Sequence, residues 1–364
     1  MRMKLCFVAA LSFLIFVVSC QSPVSQNPVS EKPVNQKVFD RAGLEKFVDQ
    51  YMDAMLSHQA DPALFAKDCR FTENGVRLPL GEGLWASMVG KGTYKFYVPD
   101  METQQIAFIG TAREEGQKSG TQSPVAIALR LKLQNGLISE AEQLVIRPES
   151  NLLEPDRKSS RLSAAESIEK LGAPHKVYSE VIPEAERPSS EEMIKVANRY
   201  FSGMQQNDGK GVYPFSDDCD RIENGGQSTN VPLQPGQERP DPLKSTVYSS
   251  AWGCKEQFQS GLIHFVTRIR DRRFVAVDRE HGVVFSFGFF DHSAGQSRHF
   301  KTPDGRDVVE GPAEPWTWQI AELFKVEKGN IRRIEAVLQR CPYGMNSGWS
   351  TYEQGMSDQI QIIK

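Results

Sequence analysis

Apolar residues in this chain fall into two stretches of helical spacing, each followed by a long run of alternating positions. In the first, Leu44, Phe47, Val48, Tyr51, Met52, Met55 and Leu56 keep the i, i+3, i+4 rule over three turns from a start near Phe39. That spacing predicts an amphipathic helix with a broad apolar face. In the second, Met193, Val196, Ala197, Tyr200, Phe201 and Met204 repeat the pattern, and Ser189 with Glu192 supplies a capping box. The two stretches superpose Tyr51 on Tyr200 and Met55 on Met204. A Tyr and Met stripe at this spacing reads as core.

Behind the helices stand two related segments, Cys69-Arg70-Phe71-Thr72-Glu73-Asn74-Gly75 and Cys219-Asp220-Arg221-Ile222-Glu223-Asn224-Gly225. Each reads as a strand closed by an Asn-Gly turn, because both turn residues tolerate positive φ. The first repeat continues through Gly81-Glu82-Gly83-Leu84-Trp85 and a short helix. The second continues through a long polar loop, Gly226 to Ser250, and a helix from Cys254 to about Gln259. Strands follow in register. Tyr94–Asp100 matches Arg273–Asp278, and Ile106–Gly110 matches Val284–Gly288. Val125–Leu133 pairs through Asn135-Gly136 with Ile138–Arg147, as Trp316–Val326 pairs through Gly329-Asn330 with Ile331–Arg340. Glu142 then matches Glu335, Arg147 matches Arg340, and Glu114 stands where the second repeat has His292.

The predicted class is α+β: two cone-shaped repeats, each with helices packed on a curved antiparallel sheet. This element order and the two Glu-Asn-Gly turns resemble the nuclear transport factor 2-like superfamily, in its SnoaL-like branch, over roughly 39–147 and 189–342. The resemblance implies a cone interior that serves as an apolar pocket with a few polar groups. The superfamily's Asp-Tyr and His-Asp dyads match no motif position here, so no catalytic role is carried over. The paired layout, with Gly81–Trp85 first and Pro342–Trp349 last, is also similar to an uncharacterised secreted double-domain family of filamentous fungi, which lends no mechanism.

The first residues read as a targeting segment. Arg2 and Lys4 precede an apolar stretch, Leu5 to Val18, too short to span a bilayer. Val17-Val18-Ser19-Cys20 resembles a bacterial lipobox. The resemblance implies that residues 1–19 are a lipoprotein signal peptide, that Cys20 is lipidated, and that the protein is anchored in a membrane. Gln21, not Asp, follows the Cys, which points to the periplasmic face of the outer membrane in a Gram-negative cell. An ordinary secretory signal with a chance Cys is the alternative. Residues 20–37 carry Pro23, Pro28 and Pro33 among polar residues and read as a disordered tether. The remaining organisation is a first repeat at 38–147, a linker with a short helix at 148–188, a second repeat at 189–342 and a tail at 343–364. The repeats are expected to pack on each other as an internal pseudo-dimer.

Composition narrows the function little. A net charge of −3, with no dominant basic run, argues against a nucleic-acid partner. Export permits disulfides. Cys69, Cys219, Cys254 and Cys341 allow three complete pairings. Cys219–Cys254 is favoured, with Cys69–Cys341 then stapling the repeats, and four buried thiols are the alternative. No metal is expected, since Cys-x-x-Cys, His-x-His and His-Glu-x-x-His spacings are missing from the sequence. No cofactor is expected, since neither a P-loop nor a dinucleotide fingerprint occurs.

Candidate chemistry concentrates in the second repeat. His264, Asp278 and His292 are read on its strands as catalytic candidates, with His264 and Asp278 a geometrically possible pair. Asp291 and His292, as strand neighbours, point to opposite faces. Carboxylates or imidazoles in a dry pocket have pKa values drawn toward neutrality and can move protons at carbon. Glu73, Asn74, Glu223 and Asn224 are candidate ligand-binding groups at the cone mouths, against a plain turn role. Glu82, Trp85, Tyr94 and Tyr97 are candidates for lining the first pocket, against a core role. Two functions remain: an envelope-anchored protein binding a small molecule in a cone, with lyase, dehydratase or isomerase chemistry open, or a non-catalytic binding or scaffold lipoprotein. Side chains filling both cones would count against the enzyme.

Overall fold

The computed structural model describes residues 37–116, 118–148 and 162–363. The signal peptide, Cys20, nearly all of the tether, and linker residues 149–161 lie outside the described residues. The first repeat comprises α1 (Arg41–Leu56), β1 (Phe65–Glu73), β2 (Val76–Leu78), α2 (Leu84–Ser87), β3 (Met88–Asp100), β4 (Gln105–Glu115), β5 (Gln122–Gln134) and β6 (Leu137–Ile146). The linker carries α3 (Ala164–Lys170). The second repeat comprises α4 (Ser190–Met204), β7 (Phe215–Glu223), β8 (Gly226–Gln227), α5 (Cys254–Gln259), β9 (Arg268–Asp278) and β10 (Val283–His292). It continues through a small hairpin of β11 (His299–Lys301) and β12 (Asp307–Val309) to β13 (Trp316–Glu327) and β14 (Asn330–Cys341). The tail adds α6 (Tyr352–Met356) and β15 (Ile360–Ile362).

Both long helices begin where their caps place them. Asp40 accepts from Gly43 N at 2.8 Å, and Ser189 with Glu192 forms a reciprocal capping box. The strand orders are β2-β1-β6-β5-β4-β3 and β15-β9-β10-β13-β14-β7-β8. The class is α+β as predicted, but the sheets are mixed. β1 runs parallel to β6, and β7 runs parallel to β14. In each repeat a four-strand meander follows the first strand and brings its last strand back beside it in the same direction.

Three apolar clusters hold this arrangement. One packs α1 against the concave face of the first sheet, with Leu44, Tyr51, Trp85 and Leu129 inside it. A second packs α4 against the second sheet, with Tyr200, Phe201, Phe258 and Phe324. The third joins the outer faces of the two sheets, with Phe96, Ala107 and Leu144 from one repeat and Phe285, Phe287 and Leu323 from the other. Strand alternation makes this possible, since Ile320 and Phe324 face the second cone while Ala321 and Leu323 face the first repeat. Charges in this junction are paired. Arg273 holds Glu142 through two hydrogen bonds of 2.7 Å. Each long helix also reaches the partner repeat's hairpin turn: Arg41 bonds Asp278 at 2.8 Å, and Ser190 bonds Glu102 at 2.9 Å. The junction cluster thus draws on strands of both repeats.

The recurring Asn-Gly turns serve docking. Gly75 and Gly225 have φ of 78° and 76°. A Cβ on Gly75 would meet the Asn346 carbonyl oxygen of the tail, and one on Gly225 would meet the α3 backbone at Ser167 and Ile168. Trp349 of the tail donates to Thr72 Oγ1 at 2.8 Å and lies under the Arg70 guanidinium. Cys219 and Cys254 form a disulfide. Cys69 and Cys341 are free, so the expected staple between the repeats is not made.

Removing Glu142 leaves the buried Arg273 guanidinium with Asp271 alone, at 3.3 Å, and its Glu142-facing donors unsatisfied. Glu142→Leu is expected to cost about 3 kcal/mol in denaturant unfolding, with much of it regained on adding Arg273→Met. A single-variant loss well under 1 kcal/mol would show that the pair does not anchor the junction.

Candidate functional site

The two cones are built on one plan and filled differently. In the first, polar groups form a closed network. Tyr51 donates to Gln143 Oε1 at 2.9 Å and accepts from Trp85 Nε1 at 3.0 Å. Gln143 donates to Glu73 at 2.8 Å, and Glu73 also takes the Leu84 N–H at 2.7 Å. Arg147 closes the rim between Glu73, at 2.9 Å, and Glu114, at 2.8 Å. Every one of these groups has a partner, and Phe71, Phe108 and Leu129 fill the space beside them.

The second cone replaces that apolar filling. Register places Glu322 between Ser286 and Ala336, where the first repeat has Leu129 between Phe108 and Gln143. Arg221 stands where the first repeat has Phe71. Arg221 is buried and spends its donors on Tyr200 OH (3.2 Å), Tyr248 OH (2.8 Å), Gln257 Oε1 (2.9 Å) and Ser228 Oγ (3.0 Å), with Glu223 at 3.4 Å. Glu322 is 1% exposed, and both of its carboxyl oxygens are buried without a hydrogen-bond partner. Burial, with the nearby Glu223 charge, pushes this carboxyl up to about 8, and Arg221 and Tyr200 pull it back only in part. At neutral pH the group is mainly a neutral acid, able to donate one hydrogen bond.

At the open end of the same cone lies an aromatic stack. His292 is buried and stacks on Trp316 at 4.0 Å, with Phe265 at 5.8 Å and Trp318 edge-on. Arg340 covers Trp316 at 5.3 Å. This stack occupies the rim that Glu114 and Arg147 close by ion pairing in the first repeat. Burial lowers the His292 imidazole to about 4, so it is neutral at physiological pH.

The other predicted residues lie as follows. His264 is in a turn after α5 and not in a strand: Gly261, with φ of 69°, ends the helix, and the chain turns before β9. Its ring packs on Phe300 at 4.8 Å. Asp278 binds Arg41 and His281 at the repeat junction, so the structure does not bring His264 and Asp278 together. Asp291 pairs with Arg268 and Arg270 on the face opposite His292. Trp85 is a core residue, Glu82 is exposed, and Tyr97 packs its ring on Phe108 at 5.2 Å at the edge of the first-cone cluster while donating to Asp49. Tyr94 belongs to the junction cluster and not to the first cone, because strand alternation turns it to the outer face. Asn74 and Asn224 bridge to the β6 and β14 backbones. Glu223 lies at the second-cone cluster. Glu322, Arg221, Tyr248 and Gln257 were not singled out from sequence. One signal was available: Glu322 interrupts the apolar face of Ile320, Phe324 and Val326.

The sequence pattern of the family described as "Domain of unknown function (DUF8021)" matches residues 37–145 and 186–338. The chain belongs to this family. The two matched segments of the DUF8021 chain coincide with the two sheets and their helices. No curated protein matches it significantly. Among solved structures it is similar to a de novo designed protein with a curved β-sheet (17% identity, 42% of this chain and 88% of that one, TM-score 0.23). It is similar to a protein of unknown function with a cystatin-like fold from Methylobium petroleophilum PM1 (18%, 35% and 87%, TM-score 0.23). It is also similar to an NTF2-like protein from Anabaena variabilis ATCC 29413 (15%, 44% and 96%, TM-score 0.22).

A carboxyl that titrates near 8 in the fold but near ~4.3 in the unfolded chain holds a proton that unfolding releases between those values. Its stabilising contribution is full below the lower value and is lost as pH rises through the upper one. Melting temperature is therefore expected to fall between pH 5 and 9 more steeply for the native protein than for Glu322→Gln. Parallel profiles would show that Glu322 does not titrate in this window.

Proposed function

We propose that this chain is an envelope-anchored protein that binds a small molecule in its second cone, with the first repeat serving as structural support. The observation that carries this is Glu322, a buried acid that lies beside Tyr200 and Arg221 but makes no close hydrogen bond, at a position the first repeat fills with leucine. An unsatisfied buried polar group is costly to keep, and a ligand oxygen accepting from it would remove that cost. Arg221, Tyr200 and Tyr248 fix the polar wall beside it, and His292, Trp316 and Trp318 form the rim. The anchor rests on the lipobox-like Val17-Val18-Ser19-Cys20 and the polar tether behind it.

Binding is favoured over catalysis, because His264 and Asp278, the acid and base expected of a catalytic pair, lie apart, one on Phe300 and the other on Arg41. Proton transfer is the second reading, favoured by the affinity of Glu322 for a proton near neutral pH.

The test swaps in the first repeat's residues. Arg221→Phe with Glu322→Leu removes an acid that is costly to bury but also takes a partner from Tyr248, Gln257 and Glu223, so a cooperative melt of the double variant is established first. A thermal-shift panel of small ketones, lactones and short monocarboxylic acids should give hits on the native protein that the double variant loses. Hits that survive in the double variant would place the ligand elsewhere.

A further inference from the structure

The repeat junction holds one feature that apolar packing and fixed ion pairs leave unexplained. Arg41, the first residue of α1, places a single nitrogen, Nη2, 2.8 Å from both Asp278 oxygens, 2.9 Å from Glu280 and 2.8 Å from His281 Nδ1. His281 Nδ1 is also 3.0 Å from Asp278 Oδ2. These two contacts of Nδ1 demand opposite protonation. A guanidinium N–H can donate only to an unprotonated ring nitrogen, whereas an imidazole N–H is needed to donate to the carboxylate. With a neutral ring protonated at Nε2, Nδ1 accepts from Arg41 and the cluster is consistent. With an imidazolium, two donors face each other at 2.8 Å, so Arg41 must withdraw and His281 takes over Asp278.

We propose that Arg41, Asp278 and His281 form an acid-released latch that holds the start of α1 to the second repeat. Histidine is the side chain that ordinarily changes charge between pH 5 and 8. Asp278 is buried, which raises its carboxyl, yet His281 and Arg41 outweigh this and hold it below the usual carboxylate range. It therefore stays ionised through that interval and serves whichever cation is present. The other charged groups facing the ring are Glu280 beside it, Glu45 on α1, Arg187 of the linker at 3.7 Å from Glu280, and Lys325 of β13, which donates to the His281 carbonyl at 2.7 Å. The apolar junction and the Arg273–Glu142 pair remain intact, so release loosens α1 and leaves the repeats together. α1 also forms one wall of a cleft of about 710 Å3 lined by Phe39, Gly43, Lys46, Phe47, Gln50 and Ala54. Acidification would therefore reshape that cleft first.

Hydrogen exchange of the α1 amides in the intact protein tests this, with rates corrected for intrinsic pH dependence. Protection of Leu44 to Gln50 is expected to fall about tenfold from pH 7.5 to pH 5.5, as the local opening free energy drops. His281→Gln should keep the same protection at both values, and Arg41→Gln should be loose at both. Equal protection of the native protein at both pH values would overturn the latch. So would a loss on acidification that persists in His281→Gln or in Arg41→Gln.

Discussion

Arg273 lies buried between two sheets, and its charge is met mainly by a carboxylate from the other repeat. The two hydrogen bonds to Glu142 fix the distance and rotation of one sheet on the other, because a guanidinium fork tolerates little misalignment. Around it the junction is apolar and would accept many registers. The pair selects one. The placement of α1 on Asp278, of α4 on Glu102, and of the tail across Thr72 depends on that choice.

The duplication has been used unevenly. In the first cone each polar group is satisfied within the repeat, and Phe71, Phe108 and Leu129 complete a core. In the second, the same ladder rows carry Arg221, Ser286 and Glu322. Rim chemistry changes in step: the Glu114–Arg147 ion pair of one repeat corresponds to His292 stacked on Trp316 under Arg340 in the other. The second repeat thus keeps an acid whose burial raises its affinity for a proton.

The Cys-to-Gly segment that marks both repeats is part of this structural frame. Its Asn side chains tie the first strand to the last, and its glycines let α3 or the tail approach the turn closely. Only Cys219 of the two repeated cysteines is bonded, because its partner Cys254 sits on α5 in the longer second-repeat insertion.

Periodicity and turn residues placed both long helices, the first and last hairpins of each meander and the two-repeat organisation, because spacing of 3.6 or 2 is a local property of the chain. The Asn-Gly turns were equally legible, since positive φ is a demand on the residue itself. Sheet polarity was not, because whether β6 returns parallel or antiparallel to β1 depends on a contact across some 70 residues. The candidate site was mostly hidden. His264 looked like a strand residue because its neighbours are apolar, yet it lies in the turn after α5. Asp278 looked like a pocket acid, yet its partner is Arg41, 237 positions away. Glu322 was visible as an acid in an apolar stretch and Arg221 as a cation among polar neighbours, but only the fold brings them into the same cone. What the sequence determined by itself is what neighbouring residues decide. Burial, pairing and the proton on Glu322 arise between distant segments, and only the tertiary structure decided them.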